Sequence, residues 1–145
     1  MKRTLLILAA ITLVAAACGG DEGIEIGDPW ARTSASMQNA GAVYMTISAG
    51  DEGDTLMGAS VESSVAAMAQ IHETSMADDG SGSMMMQEVP SISVPSGGEV
   101  SLEPGGFHVM LMQLAEPLVA GNEFTVTLMF EKAGEVEVDV TVRDE

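Results

Sequence analysis

Cysteine is nearly absent. Cys18 is the only one in the chain, so no disulfide can form within it, and no thiolate remains inside the fold to hold a metal. Histidine is almost as scarce, with His72 and His108 alone. Five basic residues stand against 22 acidic ones, for a formal net charge of −17, and a surface that negative repels nucleic acid and anionic membranes. Aromatic residues come to one Trp, one Tyr and three Phe, which leaves Val, Ile and Leu to build the core. Long apolar runs are missing except at the start, where residues 5–17 form a run of 13, well short of the roughly 20 that span a bilayer. The sequence offers no glycine-rich phosphate loop and no recognisable nucleophile. It therefore lacks the usual parts of nucleophilic and phosphoryl-transfer catalysis and reads as a non-enzyme.

What is present begins with "MKRTLLILAAITLVAAACGG". Lys2 and Arg3, the apolar run and the small residues after it have the order of a secretory signal peptide, residues 1–17. Residues 13–18, "LVAAAC", resemble the lipobox of bacterial lipoproteins, although Ala15 stands where that pattern usually has leucine. We read Cys18 as the lipidated first residue of the mature chain. The alternative is an ordinarily cleaved leader with a free terminal thiol. Residues 18–27 then form a flexible tether and residues 28–145 one domain, a common domain size. Loss of the leader removes Lys2 and Arg3 and no acidic residue. The remaining acidity is read as a solubilising surface.

The domain reads as strand after strand. "AVYMTIS" (42–48), "EFTVTLMF" (123–130) and "EVEVDVTV" (135–142) alternate apolar and polar positions, the mark of half-buried β-strands. In the last, Val136, Val138, Val140 and Val142 share one face, with Glu135, Glu137 and Asp139 on the other. Gly and Pro clusters such as "DDGSGS" (78–83) and "EPGG" (103–106) punctuate the chain about every ten residues. These spacings predict an antiparallel β-sandwich or Greek-key barrel. "SSVAAMAQ" (63–70) is ambiguous between helix and strand, and "SMMMQE" (83–88) fits a loop over an apolar patch.

Methionine is the surplus, with 12 residues. Any single Met is by default a core filler, and a lone His is by default an ordinary surface or satisfied residue. Both histidines nevertheless lie in Met-rich segments, "IHETSM" (71–76) and "GGFHVMLMQL" (105–114). In a strand His108, Met110 and Met112 share one face and Val109 and Leu111 the other. Neutral thioethers with imidazoles suit Cu(I). Zinc would lack thiolate or carboxylate partners, and a blue-copper site would lack its cysteine.

On these residues the chain resembles the extracytoplasmic copper chaperones of the PCu(A)C type, whose motif reads H-x10-M-x21-H-x-M. Met86 and His108 are separated by 21 residues, as in that motif, and "SLEPGGFHVMLMQL" follows the family's glycine turn and H-x-M strand. "PWARTSASMQNAGAVYMTI" (29–47) looks like its N-terminal strand pair. The one departure is the 13 residues between His72 and Met86. A glycine-rich loop in 77–83 absorbs the extra length at little entropic cost. The resemblance implies a cupredoxin-like sandwich, monomeric, binding Cu(I) through His72, Met86, His108 and Met110, with Met84 the substitute for Met86 and Met112 in an outer shell or docking patch. It also implies delivery of copper to the copper A centre of cytochrome c oxidase, through subunit II or another copper chaperone. The expected place is the outer face of the cell membrane or the periplasm, with the lipid as the sole membrane contact. Glu73 and Glu88 are read as solvated charge. Two other readings stay open: a copper-buffering or resistance lipoprotein with the same site, and a structural sandwich whose methionines are core and whose histidines lie far apart.

Overall fold

The computed structural model describes residues 23–34 and 39–144. The leader, Cys18 and the first half of the expected tether lie outside the described residues. Ten strands follow in order: β1 (Ile24–Arg32), β2 (Ala40–Ala49), β3 (Asp54–Val61), β4 (Ala66–Met76), β5 (Met84–Glu88), β6 (Ile92–Val94), β7 (Glu99–Leu102), β8 (Phe107–Leu114), β9 (Glu123–Phe130) and β10 (Gly134–Arg143). No helix occurs among the described residues. The strands hydrogen-bond in the order β5-β4-β8-β7-β2-β1-β10-β9-β3-β6, and β8 also pairs with β2. The strip folds over so that its two halves bury a shared core.

Period-two alternation drives the folding over. On β10, Val136, Val138, Val140 and Val142 are buried and the residues between them exposed. Val126, Leu128 and Phe130 of β9 and Leu56 of β3 join them from one half. Val43, Met45 and Ile47 of β2, Ile71 of β4 and Val109 and Leu111 of β8 join from the other. Each such side chain, fully buried, contributes about 1.5–3 kcal/mol.

Two expectations need correction, and two are sharpened. The sequence places the end of the tether at residue 27, but Ile24 is buried and pairs with Ala49, so the sheet begins four residues before the expected domain start. The ambiguous 63–70 segment splits. Val65 and Ala66 donate their N–H groups to Glu62 O, closing a turn, and from Ala66 onward the chain is strand. "SMMMQE" is no loop: residues 84–88 form β5, an edge strand paired with β4, and 77–83 is the hairpin connection. The expected antiparallel sandwich stands, and it carries two parallel pairs. β1–β10 and β7–β8 are parallel, because β1 takes β2 on one edge and the chain's last strand, running its own way, on the other.

One buried carboxylate holds two turns together. Asp54, 7% exposed, accepts N–H groups from Thr55 at 2.7 Å and from Lys132 and Ala133 at 2.9 Å. Burial alone would raise its pKa, but these donors and the Lys132 charge outweigh it and hold the carboxyl below its usual value. The stability this carboxylate contributes is therefore present above the ordinary Asp value of about 3.9 and lost as pH falls through the lower folded value. Asp54→Asn should cost about 2 kcal/mol at pH 7, read as a lower urea midpoint. The gap to the parent protein should close on acidification.

Candidate metal centre

The turn of residues 103–106 places the first histidine. Gly106 N–H donates to Glu103 O at 3.0 Å, Glu103 N–H donates to Phe107 O at 2.9 Å, and Gly105 takes φ +86°, where a side chain would be strained. The chain leaves this turn as β8, and burial of Val109 and Leu111 turns His108, Met110 and Met112 to the opposite face. His108 is 2% exposed. Its Nδ1 lies 3.2 Å from Gly106 O. A carbonyl oxygen only accepts, so Nδ1 carries the hydrogen and Nε2 the lone pair. That Nε2 is buried with no hydrogen-bond partner.

The second histidine stands opposite. β4 pairs with β8 so that His72 is the cross-strand partner of His108, and the ring centroids are 5.9 Å apart. His72 Nε2 lies 3.2 Å from Gln70 Oε1, while its Nδ1 is buried without a partner. Two unsatisfied ring nitrogens on facing histidines are unusual, since each buried orphan costs about 1–3 kcal/mol. A shared electrophile would satisfy both. The reading that needed the histidines far apart loses its premise.

The thioethers come from both sides. Met110 follows His108 by two residues on the same face of β8, as the cross-strand partner of Gln70. Met86 lies on β5 opposite Thr74, two residues along β4 from His72 on the same face, and is 54% exposed. Met86 and Met110 line one shallow cleft of about 200 Å³ with Arg32, Ala42 and Tyr44. Met84 shares the face of Met86 but stands opposite Met76, two residues further out, and does not line that cleft. Met112 pairs with Met68, and Met85 points to the other side of β5.

Sequence reasoning missed the wall beside His108. Trp30 and Tyr44 are cross-strand partners with rings 4.7 Å apart, and Tyr44 lies 6.3 Å from the His108 ring. The Arg143 guanidinium sits 4.7 Å over Trp30 and that of Arg32 sits 5.9 Å from Tyr44, contacts with cation–π geometry. Asp28 receives Arg143 at 2.7 Å. The available signal was that Trp30 and Tyr44 are the only residues of their kinds and occupy paired strands. Glu88 also does more than carry solvated charge, because it accepts Gln70 Nε2 at 3.2 Å.

The donor chemistry fits a soft monovalent ion. Among the described residues no group of three or more His, Cys, Asp or Glu converges on a point, as zinc or calcium sites would require. Two imidazoles with nearby thioethers suit Cu(I). Burial, and secondarily repulsion from His72, lower the His108 pKa below 6.5, against the opposing pull of the Gly106 carbonyl. The shift favours the neutral form of His108, with its lone pair available. An NMR titration of the metal-free protein should place the His108 midpoint below 6.5. Because the unfolded chain takes up this proton first, His108 should cost stability as pH falls from about 6.5 through its folded value.

Comparison with known proteins places the chain in a family and a fold. The family described as "Putative lipoprotein LpqE-like" matches residues 24–142. "Putative lipoprotein Lxx21020" of Leifsonia xyli subsp. xyli (strain CTCB07) is 34% identical over 128 residues, covering 85% of this chain and 71% of that one. The copper-bound PCuAC domain from PmoF2 superimposes with a TM-score of 0.68 at 27% identity, over 85% of this chain and 94% of that one. For the apo PCuAC domain from PmoF1 the values are 0.70 and 28%, over 85% and 95%. The solution structure of CuI-DR1885 from Deinococcus radiodurans gives 0.62 and 28%, over 90% and 87%. The chain belongs to the LpqE-like family and has the cupredoxin-like β-sandwich of the PCuAC copper-chaperone domains.

Proposed function

We propose that this protein is an exported Cu(I) carrier, tethered through a lipid on Cys18 at the outer face of the cell membrane, with His72, Met86, His108 and Met110 as its ligands. The observation that carries the reading is the pair of buried, unpartnered ring nitrogens on histidines 5.9 Å apart. The copper named in two of the similar structures supports it. Two neutral imidazoles and two neutral thioethers hold Cu(I) as a site of net charge +1, without a thiolate. Such ligands can be exchanged one at a time for a receiver's stronger donors, and the copper needs no change of oxidation state. We further propose that the receiver is the copper A centre on subunit II of cytochrome c oxidase, reached directly or through another copper chaperone.

Anaerobic Cu(I) titration against a competing chelator should show one tight equivalent. His108→Ala should weaken it by more than about 100-fold, beyond the span usual for residues that merely support ligands, and Met86→Ala should also weaken it. Binding that is absent, or indifferent to both changes, would sink the carrier reading. Mixing the Cu(I)-loaded protein with metal-free subunit II should move copper to the receiver. Full retention by the carrier would favour buffering over delivery.

A further inference from the structure

The two histidines are held differently. His108 is pinned through Nδ1–H by a backbone carbonyl, that of Gly106, which also accepts Thr74 N–H at 3.0 Å. His72 is held by side chains alone. Gln70 precedes it by two residues on the same face of β4, and Glu88 is its cross-strand partner on β5. Gln70 Nε2 stands 3.2 Å from Glu88 Oε2, and Gln70 Oε1 stands 3.2 Å from His72 Nε2. A carboxylate only accepts, so the Gln70 amide must turn its NH₂ to Glu88 and its oxygen to His72. That oxygen also only accepts, so His72 must carry its hydrogen on Nε2. Nδ1 is left as the lone-pair nitrogen, and it is the atom that is buried and unpartnered.

We propose that Gln70 and Glu88 are positioning residues of the copper site: the chain Glu88–Gln70–His72 fixes the Nε2–H tautomer of His72 and reserves Nδ1 for the ion. The inference rests on the copper-carrier reading. It gives the two histidines opposite tautomers, with Nδ1 the donor on His72 and Nε2 the donor on His108. It also links β5, which bears Met86, to His72 through a side-chain contact as well as through the β4–β5 ladder.

Long-range ¹H–¹⁵N correlation spectra of the metal-free protein read the tautomers directly. His72 should appear as Nε2–H and His108 as Nδ1–H. Gln70→Leu should let His72 drift toward a tautomer mixture and weaken Cu(I) binding about 10-fold or more, with His108 unmoved. Glu88→Leu, on an exposed position, should act in the same direction, whereas Glu88→Gln, which keeps an accepting oxygen, should restore both readouts. A purely structural role would alter thermal stability but not the tautomer. The proposal is overturned if wild-type His72 carries its hydrogen on Nδ1, or if Gln70→Leu leaves either tautomer or affinity at the wild-type value. Failure of the carrier reading looks different: His72→Ala and His108→Ala would then leave Cu(I) binding unchanged, whatever the tautomers.

Discussion

Burial of Ile71, Val109 and Leu111 fixes everything that happens on the other side of β4 and β8. Side chains alternate along a strand, so committing these residues to the core commits His72, His108 and Met110 to the opposite face. The β4–β8 register then sets His72 against His108. A slip of one residue would send the histidines into the core and Val109 to the solvent side. The candidate site therefore needs no dedicated scaffold of its own. It is the back of the hydrophobic core, held in register by the same apolar burial that makes the domain stable.

That arrangement explains how a strongly acidic protein can offer neutral donors to a cation. Apart from buried Asp54, the described carboxylates mostly occupy exposed strand positions and turns, as on β10, where Glu135, Glu137 and Asp139 alternate with buried valines. Around His108 the surroundings are aromatic and apolar instead. Trp30, Tyr44, His108 and His72 form a row across β1, β2, β8 and β4, with Arg143 over Trp30 and Arg32 over Tyr44 at one end of it. A dry wall on one side favours the neutral imidazole of His108. The general negative field concentrates cations near the surface, and the softness of the donors selects among them.

Much of this was legible in the sequence. The alternation in 123–130 and 135–142 gave β9 and β10, and the "EPGG" turn followed by His-x-Met located β8 and the shared face of His108 and Met110. Other features were hidden for physical reasons. β4 opens with small and flexible residues, Ala66, Ala67, Met68 and Ala69, which carry no β-branched signal. β5 is exposed along its whole length, so no buried alternation marks it, and only its ladder with β4 makes it a strand. The parallel β1–β10 pairing joins the two ends of the domain, a contact that local pattern cannot show. The Glu88–Gln70–His72 chain needs the β4–β5 register before its members are neighbours, since Gln70 and Glu88 are 18 residues apart.

The positions of the proposed ligands differ in a way that suits a carrier. His108 and Met110 sit on β8, which is paired on both sides, with β4 and with β2. His72 sits on β4, likewise flanked on both sides, by β5 and β8. Met86 alone stands on an edge strand that has a single neighbour and no buried side chain. Local opening is easiest where few apolar contacts resist it, so β5 can lift from β4 at far less cost than β8 can leave the sheet. A receiver approaching from that edge would meet an exposed thioether on the most easily displaced strand, with two imidazoles and Met110 still holding the ion. On the proposed carrier reading, a competing ligand would enter by displacing Met86, without unfolding of the site. The hydrogen-bonded link from Glu88 through Gln70 to His72 would carry part of that lifting to the histidine.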